Sequence, residues 1–265
     1  MRILAIDAGN TRIKWGVHDD GSWAVQGWVP TERAERLARA WAAIGAPDRV
    51  IAANVAGERV ARRIAASARG FTLRVRFVKG AARQCGVNSS YDTPAQLGAD
   101  RWAALIGARH FHRGACVVVN AGTTMTVDAL AADGVFLGGM IVPGMELMRG
   151  ALARNTSGLR RRGAGCFAFF PARTADAIES GTINALAGAV ERMQRFMREA
   201  GQQEPRTILS GGAATIIAPQ LTGPLEVVDN LVLEGLVRIA LEVKMTHVAI
   251  KTRQLSVVSR RGARS

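Results

Sequence analysis

The chain has 265 residues, 48% hydrophobic and 21% charged, with 29 Gly, 8 Pro and three cysteines. Those proportions exclude a disordered or collagen-like chain, and an odd, widely spaced set of cysteines with no C-x-x-C pair excludes a disulfide framework and argues against structural zinc. The formal charge of +14 rests on 35 basic residues of which four are Lys, an Arg bias that GC-rich coding produces as readily as a nucleic-acid surface does.

In chain order, Ile3 to Asp7, Arg12 to His18 and Trp23 to Val29 read as a three-stranded meander. Thr31 to Ile44 has helical periodicity, with Leu37, Ala38 and Trp41 on one face and Gly45 and Pro47 as the stop. Val50 to Val55 and Leu73 to Val78 read as strands flanking a helix near Arg59 to Arg69. Gly98-Ala99-Asp100-Arg101 opens a helix that runs through Arg109. The longest apolar run, Ala115 to Leu130, is broken by Asn120, Thr123, Thr124 and Asp128, which makes it a pair of strands and not a membrane span. Helices follow over Glu146 to Ala153, Thr174 to Ala200 and Leu231 to Val248, with a short strand, Thr207 to Ser210, ahead of Gly211-Gly212. The first residues carry no basic leader or cleavage signal, so the expected address is the cytoplasm.

The two meanders repeat each other. Ile6-Asp7-Ala8-Gly9-Asn10-Thr11 matches Val119-Asn120-Ala121-Gly122-Thr123-Thr124 at an offset of 113 residues (120 − 7), and the same offset pairs Asp20-Gly21 with Asp133-Gly134 and Val29-Pro30 with Val142-Pro143. Each copy leads into alternating helices and strands. The expectation is an α/β fold with duplicated lobes, residues 1–112 and 113–265, and a cleft between them.

Neither G-x-x-x-x-G-K-[S/T] nor G-x-G-x-x-G occurs. Each repeat instead puts small polar residues in a tight strand-to-strand turn, where backbone N–H groups and the side chains of Asn10, Thr11, Thr123 and Thr124 offer donors to an anion. Asp7 is a candidate to hold a hydrated Mg²⁺, and Lys14 to place a positive charge near a phosphate. Two such turns facing each other suggest a nucleotide clamped between lobes. Ser210-Gly211-Gly212 permits close backbone approach to the adenosine part. Asp100, in the first turn of a helix, is either an N-terminal helix acid or a general base for a substrate hydroxyl, and Arg101 is a candidate to orient an anionic substrate. The four histidines form no convergent site, and Phe167, Phe169 and Phe170 suit packing or a subunit contact.

These turns resemble the actin-like ATPase superfamily, which includes sugar and acetate kinases. Within it the chain resembles the type III pantothenate kinase family, on Asp7-Ala8-Gly9-Asn10-Thr11 with Lys14, Tyr91 ahead of Leu97-Gly98-Ala99-Asp100-Arg101, Asn120-Ala121-Gly122-Thr123, and Thr174-Ala175-Asp176-Ala177-Ile178 with Ser180-Gly181. The resemblance implies a duplicated actin-like fold. It implies ATP-dependent phosphorylation of pantothenate to 4′-phosphopantothenate, the first step of coenzyme A biosynthesis. It implies Asp100 as catalytic base, ATP contacts from Asp7, Gly9, Asn10, Thr11, Lys14 and Thr123, and pantothenate contacts from Tyr91, Gly98, Ala99, Arg101 and Thr174. It further implies Mg²⁺, a monovalent cation (K⁺ or NH₄⁺) at the head of the second turn, and a homodimer with the substrate site near the subunit interface. Two positions depart from the family pattern: Asn120 stands where Asp usually binds the monovalent cation, and Arg173 where Asn is common. The alternative is a regulatory role like that of the Bvg accessory factor, with the basic Arg154, Arg160 to Arg162 and Lys251 to Arg264 segments contacting nucleic acid. The presence of both Asp7 and Asp100 favours the kinase, with neither membrane nor nucleic acid as partner.

Overall fold

The computed structural model describes residues 1–159 and 163–242. The basic run Arg160 to Arg162, the tail from Lys251 to Arg264 and the expected extension of the last helix to Val248 lie outside the described residues.

The first half builds strands β1 (Ile3–Ala8), β2 (Arg12–Asp19), β3 (Ser22–Pro30), β4 (Arg49–Asn54) and β5 (Val75–Phe77), in the spatial order β3-β2-β1-β4-β5. The three meander strands pair antiparallel, and β4 and β5 add parallel to β1. The second half repeats this with β8 (Cys116–Ala121), β9 (Thr124–Leu130), β10 (Val135–Pro143), β11 (Arg206–Ser210) and β12 (Leu225–Val227), ordered β10-β9-β8-β11-β12 with the same senses of pairing. Two short strands, β6 (Arg83–Gln84) and β7 (Val87–Ser89), extend this second sheet beyond β10. They come from before residue 112 in the chain, yet pair with the second sheet.

The repeat extends to irregularities. A bulge in β3 leaves Ala24 without a partner, and a bulge in β10 leaves Leu137 without one, 113 residues later (137 − 24). Between these landmarks the register slips. The turn after β1 links Ala8 to Ile13 and the turn after β8 links Ala121 to Met125, one residue shorter. Thr11 therefore corresponds to Thr123 and Lys14 to Thr126. The second D-G turn restores the offset. Asp20 and Gly21 both have positive φ, 42° and 98°, in a two-residue hairpin, whereas Ala132-Asp133-Gly134 closes with only Gly134 at φ 88°.

Strand alternation sorts the apolar residues into layers. Leu4, Ile6, Trp15 and Val17 face the outer helices α1 (Leu37–Trp41) and α2 (Glu58–Ala68), through Trp41, Val60 and Ile64. Ile3 and Ala5 point the other way, onto α3 (Ala99–Phe111) and α7 (helical over 231–242). Cys116 and Val118 of the second sheet pack on the same two helices from the opposite side. Val117 and Val119 face α5 (Thr174–Glu199), which packs beside α4 (Met145–Asn155), with the short α6 (Ala214–Ile217) completing that layer. The order is helix, sheet, helix pair, sheet, helix. In the central layer α3 and α7 touch backbone to backbone: a Cβ on Gly235 would collide with the Ala103 carbonyl, and one on Gly107 would lie 2.5 Å from the Leu231 oxygen. Among the described residues no helix is long and apolar enough to cross a membrane.

The Thr31 to Ile44 helix is shorter than its periodicity suggests. Thr31–Arg36 is a 3₁₀ turn broken at Arg33 (φ −114°, ψ 37°), and α-helix covers only Leu37–Trp41.

Candidate active site

Alternation along β1 that buries Ile3 and Ala5 against α3 sends Asp7 the same way, and Asp7, next to last in its strand, lies near Asp100 at the start of α3. Asp100 lies in the first turn of that helix, behind Gly98 at the N-cap; its Oδ1 accepts from the Arg101 backbone N–H at 2.8 Å. A Cβ on Gly98 would stand 2.7 Å from this oxygen, so the glycine clears the space that Asp100 occupies. Ala99 is buried beneath the same turn. Burial and the neighbouring Asp100 carboxylate push Asp7 up to about 7, while Lys14, its register partner on β2, pulls it down. Asp7, Lys14 and Asp100 therefore form one electrostatic unit at the mouth of the cleft.

The two turns meet above this unit. The Thr11 and Thr123 hydroxyl oxygens are 2.7 Å apart, one from each half of the chain. Each turn is tied down alike: Gly9 N–H donates to the Arg12 carbonyl and Gly122 N–H to the Thr124 carbonyl, both at 3.1 Å. The Thr11 carbonyl accepts from Thr31 N–H and the Thr123 carbonyl from Gly144 N–H, both at 3.0 Å. Asn10, Thr11 and Thr123 are exposed at the turn tips, where a phosphate can reach their donors. Gly211, at φ 101°, lets the chain after β11 pass against the Ala121 backbone; any side chain there would strike it.

Arg101 faces β9. Its Nε lies 3.2 Å from both carboxylate oxygens of Asp128, its Nη2 is 2.5 Å from Oδ1, and its Nη1 donates to the Tyr91 hydroxyl at 3.1 Å. The guanidinium lies over the Tyr91 and Phe136 rings, 5.9 and 5.8 Å from their centroids. Burial lowers the Arg101 pKa, but the Asp128 hydrogen bonds outweigh it and the net shift is upward, so the cation is held. Burial, aided by Asp100, pushes Asp128 up to about 6 against the pull of Arg101. Gly139 on β10 passes so close that a Cβ would collide with Asp128 Oδ1.

The structure thus sets Asp7 beside Lys14 and Asp100, joins the Gly9-Asn10-Thr11 turn to Thr123, and places Tyr91 on Arg101, which follows Gly98, Ala99 and Asp100 at the start of α3. Thr174 is elsewhere: it is exposed at the start of α5, across the second sheet from α3. Arg173 before it grips Asp176 with two 2.7 Å hydrogen bonds, and those bonds plus the Cys166 N–H hold Asp176 down to about 2. Asp128 was not among the residues expected at the site. Its signal was a lone acid inside an apolar strand, which demands a buried partner.

A sequence profile of type III pantothenate kinases matches residues 3–195. A type III pantothenate kinase from Aromatoleum aromaticum is 51% identical over 240 residues, 91% of this chain and 98% of that protein. One from Nitrosospira multiformis is 44% identical over 244 residues, 92% of this chain and 93% of that protein. Among solved structures, a protein described as a 2-dehydro-3-deoxygalactonokinase from Sinorhizobium meliloti shares the fold, with a TM-score of 0.59 at 18% identity over 91% of this chain and 99% of that one. The architecture is the duplicated actin-like fold of the sugar kinases, and the chain belongs to the type III pantothenate kinase family.

Proposed function

We propose that this chain transfers the γ-phosphoryl group of ATP to the primary hydroxyl of pantothenate, giving 4′-phosphopantothenate and ADP at the entry to coenzyme A biosynthesis, with Asp100 as the general base. Family membership supports the reaction, and the observation that carries the assignment of the base is the convergence of Asp100 with Asp7 and Lys14 at the meeting point of the two turns. The match is to kinases, so the regulatory alternative is not favoured.

In this reading the Gly9-Asn10-Thr11 and Gly122-Thr123 turns hold the phosphates, and Lys14 neutralises them. The oxygen donors of Asp7, with the Asp100 carboxylate near by, fit a water-shelled Mg²⁺, which when bound supplies charge neutralisation on the transferring group. Tyr91, Gly98, Ala99 and Arg101 line the acceptor side. Arg101 arrives there already oriented by Asp128, so little rotamer entropy is lost when an anionic acceptor docks. Asp100 takes the hydroxyl proton as the oxygen attacks phosphorus in line with the departing ADP oxygen.

The lobes that close on ATP are residues 1–112 and 113–265, with Arg83–Ser89 carried on the second sheet. The enzyme works as a cytoplasmic homodimer. An apolar groove of about 880 Å³ between α4 and α5, lined by Pro143, Leu147, Met148, Ala151 and Ile178, supports a subunit contact there. Thr174 opens onto that groove, so its pantothenate contact is to a molecule in the second subunit's cleft. The test is direct: purified protein given ATP, Mg²⁺ and pantothenate should form ADP and phosphopantothenate in equal amounts. Folded protein that forms neither would remove this reading.

A further inference from the structure

The duplication gives the cleft two turns of the same build but different charge. In the first sheet, the row across the strand ends reads Ala53, Asp7, Lys14; in the second it reads Ser210, Asn120, Thr126. Asp7 and Asn120 occupy matching places, each last on the face of its strand that looks toward α3. The first turn thus pairs an acid with a base. The second sets an amide between two hydroxyls and carries no fixed charge.

We propose that the second turn is a neutral cradle, that this chain turns over without any monovalent cation, and that Asn120 decides this. The inference rests on the pantothenate kinase reading of the cleft. A carboxylate at position 120 would be a third acid facing the triphosphate beside Asp7 and Asp100, and a cation would have to stand between them. The amide removes that charge, and its NH₂ donates to a phosphate oxygen directly.

Asn120 and its row neighbours Ser210 and Thr126 offer a cation no carboxylate. The main-chain carbonyl of Asn120 accepts from Gly122 N–H at 3.2 Å, and Ser210 Oγ accepts from the Leu231 N–H at 3.4 Å. Asp128, the next acid along β9, has both oxygens on Arg101.

The test compares K⁺, NH₄⁺, Na⁺ and Tris chlorides at equal ionic strength, reading both turnover and the calorimetric Kd for ATP with Mg²⁺. Wild type should keep kcat/KM for ATP and Kd within about twofold across the four salts. Asn120→Asp should acquire K⁺ or NH₄⁺ activation of roughly tenfold or more, and Asn120→Ser should remain indifferent. Tenfold activation of the wild type by K⁺ or NH₄⁺, or a matching tightening of Kd, would overturn the proposal. Equal Kd values in all salts with no turnover in any would uphold the neutral cradle and remove the pantothenate reading instead.

Discussion

Arg101 and Asp128 form a bidentate ion pair at the centre of the cleft wall, with side chains only 7% and 1% exposed. The two residues belong to different elements, the first turn of α3 and the middle of β9, so the pair pins the helix that carries Asp100 to the second sheet. Removing one partner strands the other charge in a dry place. Asp128→Asn should lower unfolding free energy by about 3 kcal/mol. It should also raise KM for pantothenate more than it lowers kcat, because the guanidinium loses its fixed orientation. Urea unfolding and steady-state kinetics check the two halves separately; unchanged stability would mean that the pair does not anchor α3.

A second prediction concerns Asp7 and pH. The folded protein keeps the Asp7 proton up to about pH 7, whereas the unfolded chain releases it near 3.8. The folded state binds more protons in that window, so this group makes stability fall as pH rises through it, and above about 7 the full penalty persists. Asp7→Asn has no such penalty. Metal-free Asp7→Asn should be more stable than wild type by about 2 kcal/mol at pH 8, half the full shift because Asp7 is only partly buried, with the gap closing toward pH 4. Denaturant titrations at pH 4.5, 6 and 8 in EDTA measure it; a gap that does not change with pH would show that Asp7 is not shifted.

Gly235 tests the central layer. Its hydrogen faces the Ala103 carbonyl, with no space for a methyl group, and its backbone is not in the left-handed region. Gly235→Ala must separate α7 from α3 and should cost about 2–3 kcal/mol, although Ala is the better helix former. A stabilised variant in thermal unfolding would show that the two helices can part at no cost.

The proposed subunit contact lies on the α4–α5 groove. Leu147 lines it and is 39% exposed. Leu147→Arg should convert a dimer to a monomer in sedimentation equilibrium while leaving far-UV circular dichroism unchanged, since a charge buried in a subunit contact is costly and one on a free surface is not. A wild-type monomer at micromolar concentration would contradict the subunit contact.

Much of the molecule was legible because its signals are local. The meanders, the helix starting at Gly98 and the glycine turns each follow from alternation, capping or positive φ within a few residues. Asp7, Asp100 and the two turns stand out in the sequence for the same reason, and the fold sets Asp7 near Asp100 and Thr11 against Thr123. The fixed offset of 113 located the repeat, but a one-residue exchange between two turn lengths escaped it, so Lys14 corresponds to Thr126 and not to Val127. Strands β6 and β7 are two and three residues long, joined through Cys85 at φ 49° and Gly86 at φ 79°, too short for any period to register. Asp128 interrupts an apolar run in plain sight, but only the fold says that Arg101 is its partner. That Thr174 opens on a different face from Asp100 depends on which side of a sheet each helix packs, which the order of elements along the chain leaves open.

Asp100 is proposed as the base that activates the acceptor hydroxyl. Asp100→Asn keeps the size and the helix-start geometry and removes only the proton-accepting charge. The decisive measurement is kcat for this variant alongside calorimetric binding of ATP and pantothenate. If Asp100 is the base, kcat should fall by about 10²–10⁴-fold with both ligands still bound within a few-fold of wild type. Near-wild-type turnover with normal binding would contradict it.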